Sequence, residues 1–141
     1  HTGIELSRKM AAADPRIFLP CQFENPLNAL DHEENTGPEI IAQMKQVDAF
    51  VSGYGTGGTL TGCGRALKRH NPAVQIVAME PAEAAMLSGE SPCCHTIEGV
   101  AGGYVPPLLA GGAPGLNSGM AGAQLLATSL AAEARVLGVS A

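Results

Sequence analysis

One run of residues narrows the folds open to this chain more than any other: Gly53-Tyr54-Gly55-Thr56-Gly57-Gly58-Thr59-Leu60-Thr61-Gly62, set between an apolar segment and a helix-like one. Ahead of it, Val47 to Ser52 predicts a strand with the apolar-rich character of one covered on both faces. Behind it, Leu60 to His70 predicts a helix stopped by Asn71-Pro72, and Val74 to Met79 a second strand ending at Glu80-Pro81. Strand, glycine loop, helix and strand form one βαβ unit, whose strands should run parallel with a right-handed crossover. The fold class is α/β.

Glycines at such a turn let the backbone bend sharply and bring its N–H groups close to an anion, and the helix N-terminus adds a favourable dipole. A plain tight turn needs one or two glycines rather than this many with two hydroxyls between them. Phosphate is the natural ligand. Gly53, Gly55 and Gly58 also satisfy the GxGxxG pattern, and Glu80 closes the next strand, so a dinucleotide site with an acid on a ribose hydroxyl is the rival reading. A P-loop is not, because no Gly-Lys-Ser/Thr follows the glycines.

The rest of the chain reads as helix from Ile4 to Ala13, a short buried strand at Ile17-Phe18-Leu19, and a polar loop from Cys21 to Asn28. Thr36-Gly37-Pro38-Glu39 then opens a second helix carrying Ile40, Ile41, Met44 and Val47. Residues 82 to 117 are loop-like, and an Ala/Leu-rich helix is predicted from Ser118 to Leu137. After Glu98 the only charges are Glu133 and Arg135, so this tail expects a partner surface.

Composition removes several classes of function. The net charge is −5, from 13 acids against 8 bases, and no basic stripe exists to displace counterions from a nucleic acid. No apolar run approaches the ~18 residues of a membrane span, so the chain reads as soluble and cytosolic. Cys21, Cys63, Cys93 and Cys94 match no zinc or redox spacing, which predicts reduced thiols and no metal site. With 141 residues, no initial Met and an apolar end, the expectation is one lobe of a longer protein.

Two stretches resemble the cysteine synthase (O-acetylserine sulfhydrylase) family. The first is Gln22-Phe23-Glu24-Asn25-Pro26-Leu27-Asn28, His32, Thr36-Gly37-Pro38-Glu39-Ile40 and the glycine loop; the second is Glu80-Pro81-Ala82-Glu83, Leu87-Ser88-Gly89, Pro92, His95, Ile97 to Val100 and Gly103-Tyr104-Val105-Pro106. The resemblance implies a pyridoxal 5′-phosphate enzyme of fold type II, with residues 1–141 forming an incomplete, three-layer parallel-sheet lobe. Residues 1–14 would lead in from a preceding part, and 107–141 depart from the family pattern. It further implies an enzyme, usually a homodimer, that replaces the acetoxy group of O-acetylserine with sulfide to give cysteine and acetate, in some members docked to serine acetyltransferase.

On the same resemblance, Gly55, Thr56, Gly57, Gly58 and Thr59 form a cup for the cofactor's phosphate, and Ser140 bonds the pyridine nitrogen. Gln22 helps hold the substrate carboxylate, and Gly99 lies beside the substrate. Read without the family, Gln22 equally suits a bond to loop backbone, and Ser140 a solvated terminus. Lys9, Lys45 and Lys68 match no Schiff-base position, so no catalytic residue is assigned and the isolated chain is expected to be inactive. The alternatives are a cystathionine β-synthase-like lyase, a NAD-binding oxidoreductase domain, and a scaffold that only docks a partner.

Overall fold

A computed structural model of the chain describes residues 2–87, 95–100 and 102–109. The βαβ unit forms its centre. β1 (Ala49–Gly53) pairs in parallel with β2 (Gln75–Met79), Ala49 lying opposite Gln75 and Gly53 opposite Met79. The helix between them, α4 (Gly58–His70), ends where the Asn71 amide bonds the Leu67 carbonyl at 2.7 Å and Pro72 bars another turn. Between α4 and the sheet, Leu60, Leu67, Val74, Ile76 and Ala78 join Tyr54 and Leu109 in one buried apolar cluster.

The opposite face of α4 is made of small residues. Gly58, Gly62 and Ala66 recur every four positions and so lie in one row. A Cβ on Gly62 would come within 2.1 Å of the Ala29 carbonyl oxygen, and one on Gly37 within 2.4 Å of Ala66 Cβ. Backbone therefore packs on backbone here, and the partner is the helical segment from Pro26 to Gln43. That segment is α2 (Pro26–Asp31), a π-helical turn (His32–Thr36) and α3 (Gly37–Gln43). Asn25 caps α2 by accepting from the Leu27 amide at 3.0 Å, with Pro26 in the first turn. Glu33, in the π turn, pairs with Arg65 at 3.3 Å and with Arg69, which ties the segment to α4 a second time.

α1 (Thr2–Ala13) forms as predicted, but the expected strand at Ile17–Leu19 does not. A strand needs a ladder partner; among the described residues β1 and β2 pair only with each other, and Phe18 is left 85% exposed. The last three residues of the expected loop from Cys21 to Asn28 are helical, because α2 begins at Pro26. β1 is not covered on both faces by the described residues: Val51 is 54% exposed, whereas Ile76, Val77 and Ala78 of β2 are buried. Beyond β2 the chain makes a 3₁₀ turn (Ala82–Ala84), and Leu108 and Leu109 are buried. The helix predicted from Ser118 to Leu137 lies outside the described residues, as does the apolar tail. No helix among the described residues is long and apolar enough to cross a membrane.

Candidate active site

The loop between β1 and α4 is enclosed by three separate segments. Gly57, the N-cap of α4, has φ +85°, in the left-handed region that glycine enters without steric cost. Three side-chain-sized spaces in the loop are already filled. A Cβ on Gly57 would lie 2.6 Å from Leu109 Cγ, one on Gly58 1.9 Å from Asn28 Oδ1, and one on Gly55 2.6 Å from the Gly99 carbonyl oxygen.

The loop also carries donors. The first closed bond of α4 runs from the Thr61 amide to the Gly57 carbonyl at 3.0 Å, so the amides of Thr59 and Leu60 precede any intrahelical acceptor. No acidic residue occurs from Gly53 to Gly62. Amides at the positive end of a helix dipole, with two threonine hydroxyls and no carboxylate, make a donor set suited to a compact anion.

Both hydroxyls are held from α2 and the π turn. Thr56 Oγ1 accepts from the Gly58 amide at 3.2 Å and from Asn28 Nδ2 at 3.0 Å, and the same Nδ2 donates to the Gln22 carbonyl at 2.8 Å. Thr59 Oγ1 lies 3.0 Å from His32 Nε2, while His32 Nδ1 lies 2.9 Å from Thr36 Oγ1. A neutral imidazole donates through one nitrogen and accepts through the other, so His32 links the Thr59 and Thr36 hydroxyls in either tautomer. The sequence alone gives no role to Asn28, His32 or Thr36. Their signal lay in the segment from Asn25 to Glu39, whose contact with the loop becomes visible only once α2 is seen to pack on α4.

Gln22 sits in an exposed turn, joined to the loop through Asn28. It also lines a cleft of about 460 Å³ with Arg8, Phe23, Tyr104 and Pro107, and no residue of the glycine loop borders that cleft. Burial, reinforced by the charge of Glu24 and partly opposed by Arg8, raises the Tyr104 phenol above its ordinary pKa. Gly99 has φ +76°, and its carbonyl abuts Gly55. Ser140 lies outside the described residues, as do Cys93 and Cys94. Lys9 and Lys45 are exposed, and Lys68 donates to the Pro72 carbonyl at 3.1 Å, at the far end of α4 from Gly58. Among the described residues no cluster of His, Cys, Asp or Glu could hold a metal ion.

Glu80 does not offer its carboxylate to a ribose. It is only 8% exposed, and its Oε2 accepts from the Tyr54 hydroxyl at 2.9 Å and the Leu87 amide at 2.9 Å. The acid that a dinucleotide fingerprint needs at the rim is thus turned into the protein.

Comparison with known proteins decides between the phosphates. Residues 1–140 match the family model described as pyridoxal-phosphate dependent enzyme. The chain belongs to this family. Over 94 residues it is 48% identical to a cysteine synthase of Staphylococcus aureus, an alignment covering 65% of this chain and 30% of the relative. Among solved structures it is similar to an O-ureido-L-serine synthase, with 40% identity, a TM-score of 0.72, and 77% of this chain and 34% of the other covered. It is also similar to an O-acetylserine dependent cystathionine β-synthase of Helicobacter pylori, with 36% identity, a TM-score of 0.70, and 75% and 35% covered. The chain thus spans about a third of the length of these relatives. They place its parallel βαβ unit in the fold type II lobe, and the family's cofactor is pyridoxal phosphate. The donor set of the glycine loop fits the phosphate of that cofactor.

Proposed function

We propose that the protein to which this chain belongs is a pyridoxal-phosphate dependent β-replacement enzyme that converts O-acetylserine and sulfide to cysteine and acetate. The observation that carries this reading is the loop from Gly55 to Thr59, donor-rich and enclosed by Asn28, Leu109 and Gly99, in a chain of this family. Backbone amides at the start of α4 and the hydroxyls of Thr56 and Thr59 hold the phosphate. The cofactor supplies an electron sink for breaking bonds at the substrate's α and β carbons.

This chain's own residues bind and orient. Gln22 takes the substrate carboxylate, Gly99 borders the substrate, and Ser140 meets the ring nitrogen as a neutral hydroxyl. None of Lys9, Lys45 or Lys68 is assigned to the cofactor, so residues 1–141 alone are proposed to be inactive. A homodimer in the cytosol, able to dock serine acetyltransferase, completes the proposal.

The similarity to the H. pylori cystathionine β-synthase favours a second reading of the same site, in which the nucleophile is a larger thiol. The test is an assay of the full-length protein, loaded with pyridoxal phosphate, on O-acetylserine with sulfide or with homocysteine. Cysteine formation from sulfide supports the first reading, preferential use of homocysteine the second, and no acetate release with either nucleophile contradicts both.

A further inference from the structure

We propose that Asn28 is a positioning residue that commits the Thr56 hydroxyl to donating, and so sets the loop's preference for a phosphate ester. The inference rests on the reading of the loop as a phosphate cup. A threonine hydroxyl has one proton to donate and two lone pairs to accept with. Thr56 Oγ1 accepts from the Gly58 amide at 3.2 Å and from Asn28 Nδ2 at 3.0 Å. Both lone pairs are engaged, and donation is the capacity that remains.

The orientation of the Asn28 amide follows from its surroundings. Its other partner is the Gln22 carbonyl at 2.8 Å, which can only accept, so the NH₂ end must face it. The same NH₂ meets Thr56, while Oδ1 rests against Gly58 where a Cβ would stand 1.9 Å away. One side chain therefore spans the Gln22 turn and the cup. A phosphate ester, which presents acceptors, satisfies the outward proton of Thr56; the free hydroxymethyl group of pyridoxal gains much less from it.

The experiment measures the dissociation constants of pyridoxal phosphate and of pyridoxal for the cofactor-free, full-length protein. Asn28→Ala should weaken pyridoxal phosphate about tenfold while changing pyridoxal by less than about twofold. Asn28→Asp, of the same size, offers Thr56 an acceptor and adds negative charge, so it should lose the phosphate preference more completely. Adding Asn28→Ala to Thr56→Val should have little further effect, since the first is argued to act through the second. A structural role alone would weaken both ligands equally and add fully to Thr56→Val; either result overturns the inference. If Asn28→Ala does not fold, the isosteric Asn28→Asp carries the same comparison, and an unchanged phosphate preference there overturns it. Unmodified protein that fails to bind pyridoxal phosphate at all would sink the proposed function itself, and this inference with it.

Discussion

The phenol of Tyr54 donates to Glu80 Oε2 across 2.9 Å inside the protein, joining the glycine loop to the end of β2. Because Leu87 donates to the same oxygen, the carboxylate also pins the turn that follows β2. Tyr54 is 1% exposed and Glu80 8%, so the bond forms where little water reaches and a charged acceptor makes it strong.

Tyr54→Phe should lower stability by about 1–3 kcal/mol at neutral pH, measured by urea unfolding. Burial first, and then the neighbouring Glu80, raise the Tyr54 phenol's pKa above its ordinary value. A pKa raised on folding means that the native state holds the proton more tightly. The stabilisation is therefore complete below the unfolded value of about 10 and is lost as pH climbs beyond it. The phenylalanine variant should show a shallower alkaline loss; an equally steep one would contradict the role given to the pair.

Glu33 gives the opposite sign. Burial alone would raise its carboxyl, but hydrogen bonds and charge from Arg69 and Arg65 outweigh it and hold the group below the ordinary carboxylate range. The stabilisation is present above about pH 4.3 and disappears as pH falls through that value toward the native pKa. Glu33→Gln should cost about 1–2 kcal/mol at pH 7, a modest figure because Arg69 is largely exposed, and less at pH 3. Unfolding curves at the two pH values check this.

Gly58 and Gly99 differ in what an added side chain would meet. Gly58→Ala must displace Asn28, and is expected to weaken pyridoxal phosphate binding by at least about tenfold. Gly99→Ala meets no atom within 4 Å and strains only its φ of +76°, so it should cost about 1–2 kcal/mol of stability and weaken the cofactor less than Gly58→Ala does. Paired titrations and unfolding curves distinguish them; equal affinities for the two variants would contradict the packing described.

Thiol reactivity should follow burial. Cys63 is fully buried in α4 and burial raises its thiol pKa, whereas Cys21 is exposed. Alkylation at pH 7 followed by peptide mapping should label Cys21 in the native protein and Cys63 only after unfolding. Early labelling at Cys63 would mean that α4 is not packed as described.

The sequence made the βαβ unit legible because periodicity, glycines and stop signals agree locally from Val47 to Met79. It also marked out the loop's donor-rich, carboxylate-free character. What stayed hidden depends on contacts between distant segments. Ile17–Leu19 has the composition of a strand but finds no ladder partner among the described residues, and composition cannot report that. Gly62 reads as part of the phosphate loop, yet its spatial task is to admit the backbone of Ala29 and the π turn. Asn28 and His32 look like loop and helix residues until α2 is placed on α4. The position of Glu80 fits a ribose acid, and only Tyr54 and Leu87 show that it faces inward.

A crystal structure of the full-length protein bound to pyridoxal phosphate would show whether the loop from Gly55 to Thr59 holds the phosphate. Phosphate oxygens are expected within about 3.2 Å of the amides at the start of α4 and of Thr56 Oγ1, with Asn28 still bridging Thr56 and the Gln22 carbonyl. A phosphate seated elsewhere, with the amides of residues 55–59 facing away from it, would rule out the loop as the phosphate site.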